Sequence, residues 1–344
     1  MTFPDPGFST PAMAEIFSAE RKVAGLLAFE VSLAKARADL GLVPPQVAEE
    51  IATACQDFDG DPSAVVASTW ERGSPLIDLL QSLRSRLSAE AGEALHQGST
   101  SQDAIDTAFM LQIRDAVALL RSETDEVGNQ LAALAKQHDT TGYKARTLLQ
   151  VALPSSFGNR ARAWSDPLIR AGEELRRVGE SLPVQLGGPI GESESQSAEL
   201  SQRLAAHLGL SAPARSWHTD RSYVRKPAGG ALEIALAAGK IAFDLVLLAG
   251  FGEVSMRAGE SSSMAHKRNP IDAIRSVAAA RACVAASSAL SAPGGNELER
   301  GVGGWQVEWW AVPLVFQAAA AAIEGVKSSL AQLEVATAED QVVD

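Results

Sequence analysis

Apolar residues recur along this chain at spacings of three and four, and runs of strict apolar–polar alternation are absent, so the pattern predicts helix after helix. Ala, Leu, Glu, Arg and Gln, all good helix formers, dominate these stretches. The spacing predicts helices over about 18–41, 45–57, 75–91, 102–136, 157–181, 195–209, 221–251, 270–291 and 305–335. The clearest period lies in 102–136, where Ile105, Phe109, Ile113, Ala116, Leu120, Val127, Leu131 and Leu134 share one face. At roughly 1.5 Å per residue that helix is about 50 Å long. Several helices of this length make an elongated bundle, and the expected fold class is all-α.

Between the helices, breaks are expected near Pro44-Pro45, Gly187-Gly188-Pro189, Ala228-Gly229-Gly230 and Ser291-Ala292-Pro293-Gly294-Gly295. The expected division is an N-terminal helical domain over 1–95, a central long-helix bundle over 96–290 and a short C-terminal helical region over 291–344. The stretch Ala231 to Gly250 is apolar enough to suggest a membrane span, but Glu233, Lys240 and Asp244 interrupt it along one narrow helical stripe. A helix buried on most sides by its own chain and by other subunits fits better, so homo-oligomerisation is expected.

The composition narrows the class. The 344 residues are 46% hydrophobic and 21% charged, with a net charge of −12. That charge argues against nonspecific nucleic-acid binding and against attraction to anionic membranes. Cys55 and Cys283 are too few for a disulfide framework or a zinc site, and the N-terminus shows no signal peptide, so a cytoplasmic setting is expected.

Against this acidic background, three polar loops precede long helices. In Gly259-Glu260-Ser261-Ser262-Ser263-Met264-Ala265-His266-Lys267-Arg268-Asn269-Pro270, hydroxyls, an imidazole and two cations lead into a helix start. Asn269 reads as its N-cap and Pro270 as its first helical residue, which would aim the positive helix end at an anion. A second loop is His96-Gln97-Gly98-Ser99-Thr100-Ser101-Gln102-Asp103, where Thr100 and Asp103 form a capping pattern. The third is Arg146-Thr147-Leu148-Leu149-Gln150-Val151-Ala152-Leu153-Pro154-Ser155-Ser156-Phe157-Gly158. Together they could cradle carboxylates.

The first of these loops resembles the Gly-Ser-Ser-x-Met-Pro-x-Lys-x-Asn-Pro signature of the fumarase/aspartase superfamily, with Glu260 where the family has Gly and Ala265 where it has Pro. The other two resemble that superfamily's Thr-Ser-x-Asp and Gly-Arg-Thr-His-x-Gln regions, and further matches stand at Gln185-Leu186-Gly187-Gly188 and Trp217-His218-Thr219. The resemblance, in order over at least residues 18–310, implies a long-helix bundle that forms a twenty-helix core in a homotetramer. It also implies active sites assembled from three subunits, acting on a small anionic polycarboxylate.

One departure sharpens the expectation. Where the superfamily's fumarases and argininosuccinate and adenylosuccinate lyases carry a His that handles the leaving group, this chain has Leu148. Amines and hydroxide leave poorly without an acid, whereas a carboxylate, the base of an acid with pKa about 4, departs as an anion. A reaction whose leaving group is the substrate's own carboxylate needs no such His. That fits the superfamily's lactonising cycloisomerase branch, which handles a carboxylated muconate in protocatechuate breakdown. Arg-Thr-Leu-Leu-Gln at 146–150, His-Lys-Arg-Asn-Pro at 266–270, and Glu299-Arg300 followed by Gly304-Trp305-Gln306-Val307-Glu308-Trp309 resemble that branch.

The resemblance implies Ser261 as the proton-transfer residue, with Lys267 and Asn269 binding or polarising the carboxylate that becomes an enolate. Ser262 and Met264 accompany them, and Ser99, Thr100, Ser101, Arg146 and Gln150 would position the remaining carboxylates. His96 could hold a carboxylate or its own loop, and His218 is a candidate substrate contact. No cofactor and no metal are expected, since P-loop, His-Glu-x-x-His and strand-preceded dinucleotide patterns are missing. Rival readings are a lyase of the adenylosuccinate or argininosuccinate type and a catalytically inactive helical tetramer.

Overall fold

The computed structural model describes residues 6–192, 197–256, 259–260, 268–291 and 296–336. The chain opens with α1 (Pro11–Ile16), α2 (Ala19–Asp39), α3 (Pro45–Gln56), α4 (Pro62–Ala67), α5 (Thr69–Arg72), α6 (Leu76–Arg84) and α7 (Ala89–Ala94). The long helix α8 (Ser101–Gln137) follows, then a hairpin of β1 (Gly142–Thr147) and β2 (Gln150–Ser156), α9 (Phe157–Gly179), α10 (Ser197–Leu208) and α11 (Ser222–Gly250). Short strands β3 (Val254–Ser255), β4 (Gly259–Glu260) and β5 (Arg268–Asn269) lead to α12 (Ile271–Leu290), α13 (Gly304–Leu330) and β6 (Glu334–Val335).

All nine expected helices are present, with three corrections. The helix expected over 75–91 is two, because Ser88 starts α7 as its N-cap while the Glu50 carboxylate accepts from its N–H and hydroxyl at 2.5 and 2.9 Å. Gly229-Gly230 does not break α11. At Gly230 a Cβ would stand 2.9 Å from Leu175 Cδ1, so the glycine serves the close approach of α9. The third is the hairpin, which lay hidden in the third polar loop. Its second strand is exposed through Gln150–Pro154 and contains Pro154, so no alternating apolar face announced it.

Two cores flank the beginning of α8. Ala104, Ile105 and Ala108 join α2, α3, α6, α7 and α10 in one, which contains Phe29, Leu33, Ile51, Leu79 and Leu204. From Phe109 onward α8 enters the larger core with α9, α11, α12 and α13, filled by Leu120, Leu131, Trp164, Ile234, Ile241, Phe316 and Ile323. Helices α12 and α13 are long and apolar enough to cross a membrane, yet 72% of the most apolar window of α13 is buried within this chain. In α11 the charged stripe is found as expected: Glu233 and Lys240 face solvent, while Asp244 accepts the Trp164 indole N–H at 2.7 Å.

Geometry decides what this bundle can bring together. Helix α8 begins at the 96–101 loop and ends at the hairpin, and its 37 residues span about 55 Å. The two candidate loops at its ends therefore stand a full helix length apart within one chain.

Candidate active site

At the N-terminal end of α8 the chain folds back tightly. His96 has φ +64° and Gly98 φ +81°, left-handed conformations that turn the loop onto the helix start. Glu30, buried on α2, holds His96 Nδ1 at 2.6 Å, while Arg37 donates to the Gln97 side chain at 2.7 Å. The Ser99 hydroxyl donates to the His96 carbonyl at 2.9 Å. Asp103 returns to accept the Thr100 N–H at 3.0 Å, so the expected capping box is present.

Asp103 does more than cap. Its fully buried carboxylate also accepts the Gly187 and Gly188 N–H groups, each at 2.9 Å, and bonds His218 Nε2 at 2.7 Å. Four donors thus satisfy one carboxylate and tie the glycine turn and the Trp217-His218 segment to α8. His218 is only 3% exposed, so the structure places it behind the loop, supporting Asp103. Thr100 and Ser101 stay half-buried at the surface of this end, and Arg300 donates to Thr100 Oγ1 at 3.3 Å.

One turn further along, Arg221 is fully buried between two carboxylates. It donates to Asp106 at 2.6 and 2.9 Å and to Glu308 at 2.5 and 3.1 Å. Burial works against its charge, but the two carboxylates outweigh that and hold the guanidinium above its usual pKa. Burial pushes Glu308 up, with Arg221 opposing. Gln102 and Trp305 donate to Asp106 at 3.1 and 2.9 Å, completing a sealed network under the loop. Sequence reasoning missed Glu30, Asp106 and Arg221 as supports. Their partners lie 66 to 115 residues away, and no local pattern links them.

The opposite end presents the hairpin. Thr147 pairs with Gln150 across a two-residue turn, Leu148-Leu149, in which both leucines have positive φ (+49° and +63°). Such turns favour Asn-Gly, so two leucines here are a strained choice. Leu148, which stands where the superfamily's leaving-group His would be, is 97% exposed at the tip. Gln150 is exposed beside it. Arg146 forms a two-pronged pair with Glu253, at 2.9 and 2.6 Å, and its guanidinium carbon lies 4.5 Å from the Phe251 ring centroid. The hydrogen bonds that Arg146 donates to Glu253 are the main cause holding its pKa above the ordinary value. Both arms are occupied within the chain.

A cavity of about 230 Å³ lies here, lined by Tyr143, Arg146, Leu148, Arg160, Asp244 and Phe251 among others. Gly259 pairs with Asn269 and Glu260 with Arg268, so β4 and β5 clamp the base of the 259–270 loop. Ser261, Ser262, Met264 and Lys267 lie outside the described residues. Asn269 is not the helix cap: it sits in β5, and Pro270 takes the cap position with no side-chain bond, because the strand pairing claims Asn269.

The expected site residues therefore fall into two groups. His96, Ser99, Thr100, Ser101 and His218 stand at one end of α8, and Arg146 and Gln150 at the other, with Asn269 at the base of the 259–270 loop. A substrate touching both groups must lie between different copies of the chain.

The Lyase family model matches residues 7–281. The chain is 34% identical over 341 residues to 3-carboxy-cis,cis-muconate cycloisomerase of Bradyrhizobium diazoefficiens, covering 94% of this chain and 76% of that enzyme. It is 32% identical over 320 residues to nitrosuccinate lyase of Streptomyces davaonensis, covering 87% of this chain and 67% of that one. The crystal structure of 3-carboxy-cis,cis-muconate lactonizing enzyme from Pseudomonas putida superposes with a TM-score of 0.91 at 32% identity, covering 99% of this chain and 79% of that one. With the long-helix bundle and the ordered polar loops, these likenesses make the chain a member of the lyase family, within the fumarase/aspartase superfamily.

Proposed function

We propose that the protein is an intramolecular cycloisomerase that lactonises 3-carboxy-cis,cis-muconate, in protocatechuate breakdown, as a homotetramer with sites shared between subunits. The observation that carries this reading is Leu148 at the exposed hairpin tip, where a protonating His would stand. A site with no acid there suits a reaction whose departing group is already a stable anion. Likeness to muconate cycloisomerases over nearly the whole chain supports the same choice.

In the proposed reaction one substrate carboxylate oxygen adds to a conjugated carbon, forming the ring C–O bond. The displaced electron pair moves onto the neighbouring carboxylate as an enolate-like dianion, and a proton is then delivered to carbon. Ser261 transfers that proton, while Lys267 and Asn269 hold the carboxylate whose charge grows. Ser262 and Met264 shape the same loop. From a second subunit Ser99, Thr100 and Ser101 supply hydroxyls at the positive end of α8, with His96 beside them. Gln150 reaches in from the hairpin, while Arg146 and His218 act from behind, through Glu253 and Asp103.

The test is loss of the conjugated diene's ultraviolet absorbance when the purified protein meets 3-carboxy-cis,cis-muconate. Turnover is expected, and Ser261→Ala should lower kcat by at least about a hundredfold. No turnover by a folded oligomer, together with cleavage of adenylosuccinate, would overturn the reading. The likeness to nitrosuccinate lyase favours one second reading, because nitrite also leaves as an anion without an acid. Nitrosuccinate turnover in place of lactonisation would establish it.

A further inference from the structure

We infer that the cavity between α2, α8 and α13 is a second binding site, built for a small apolar monocarboxylate such as an aromatic acid. The cavity measures about 180 Å³ and is lined largely by apolar groups, Phe17, Leu26, Phe109 and Trp309 among them. Lys22 is the only charged residue among the described residues of its wall. The ammonium lies 5.3 Å from the Trp309 ring centroid, a cation–π distance, and no carboxylate among the described residues pairs with it. Burial alone holds its pKa below the ordinary lysine value.

One backbone feature brings positive charge to the same space. Ser18 and Ala19, at the N-terminus of the 21-residue α2, also line the cavity and bring the positive end of the helix dipole to it. The remaining polar groups are already engaged: Ser18 Oγ accepts the Arg21 N–H at 3.2 Å, and the Gln112 amide donates to the Ile16 carbonyl at 2.8 Å.

A cation and a helix N-terminus, with no acidic side chain among the described residues of the wall, form a set that one anion completes. One cation matches one carboxylate, and the aromatic walls match an apolar body. None of the candidate active-site residues lines this cavity.

The test is titration of the full-length protein with benzoate by calorimetry, with benzyl alcohol as the uncharged probe. Saturable binding of one benzoate per chain is expected, at least about tenfold stronger than that of benzyl alcohol. Lys22→Met, which keeps the aliphatic stem, should weaken benzoate binding at least about tenfold while 3-carboxy-cis,cis-muconate turnover, where present, is unchanged. Lys22→Gln, which keeps a polar end without the charge, should weaken binding by a similar factor; it decides the matter if Lys22→Met does not fold. Absence of saturable benzoate binding, or wild-type affinity in both variants, would overturn the site. Neither result bears on the active-site reading.

Discussion

His96 shows how a single side chain in this protein depends on a distant partner. Its left-handed backbone turns the loop toward α8, and the buried Glu30 carboxylate fixes the ring at 2.6 Å. Glu30→Gln keeps the shape but replaces the carboxylate with an amide, so KM for the muconate substrate is expected to rise about tenfold with little change in kcat. Unchanged kinetics in a folded variant would remove Glu30 from the site's support. His96 was legible in the sequence because its loop carries a motif; Glu30 was not, since α2 shows only a helix pattern. Asp103 was legible as a cap, whereas its hold on Gly187, Gly188 and His218 exists only in the folded chain.

Lys22 has a price in stability. Its folded pKa is lowered, so the unfolded chain binds the proton more tightly, and the penalty is full at neutral pH. As pH rises through the lowered folded value toward the ordinary 10.5, the folded lysine sheds its proton and the penalty disappears. No other titratable group lines the cavity. Lys22→Met should therefore raise Tm at pH 7, and the gain should shrink in alkaline buffer. A melting series across pH measures both.

Among the elements, the long helices were legible, because each carries an apolar face that its neighbours bury; the short α1, α4 and α5 were not, and α13 stops at Leu330 where helix was expected to 335. The hairpin was not legible either, since its apolar residues stay exposed within its own chain: Leu148, Leu149, Val151 and Leu153. Its turn can be tested directly. Replacing Leu148-Leu149 with Asn-Gly should relieve two strained positions and stabilise the fold by about 1–2 kcal/mol in chemical denaturation. If the tip serves a shared site, the same change lowers turnover. Where α9 starts, Gly158 lets the chain pass the end of α8, and a Cβ would lie 2.6 Å from the Ala135 carbonyl oxygen. Gly158→Ala should cost about 1–3 kcal/mol because backbone atoms cannot step aside. An unchanged denaturation midpoint would contradict that contact.

For the molecule as a whole, the placement of candidate loops at both ends of α8 would make association part of the chemistry if one site draws on both. The apolar face that α11 turns outward, with Leu236 43% and Phe243 48% exposed, suits coverage by other copies. Thr100→Ala and Arg146→Ala would damage opposite ends. If sites are shared, mixing and reassembling the two weakened variants should restore activity toward about a quarter of wild type, because some sites then draw both intact residues from different chains. No gain on mixing would place each site within one chain. The sequence pointed to shared sites only by resemblance; the length of α8 gives the physical reason.

That length has a consequence for how the protein can change over time. Loops on the surface tolerate insertion, but if sites are shared, α8 acts as a ruler whose two ends must each meet their counterparts in other copies. Adding two turns to the bundle would keep every apolar face nearly in register and move the ends apart by about 10 Å. Such a chain could fold and associate yet misalign all its sites at once. Selection on this protein should then act on the count of residues between Thr100 and His138 as strictly as on their identity.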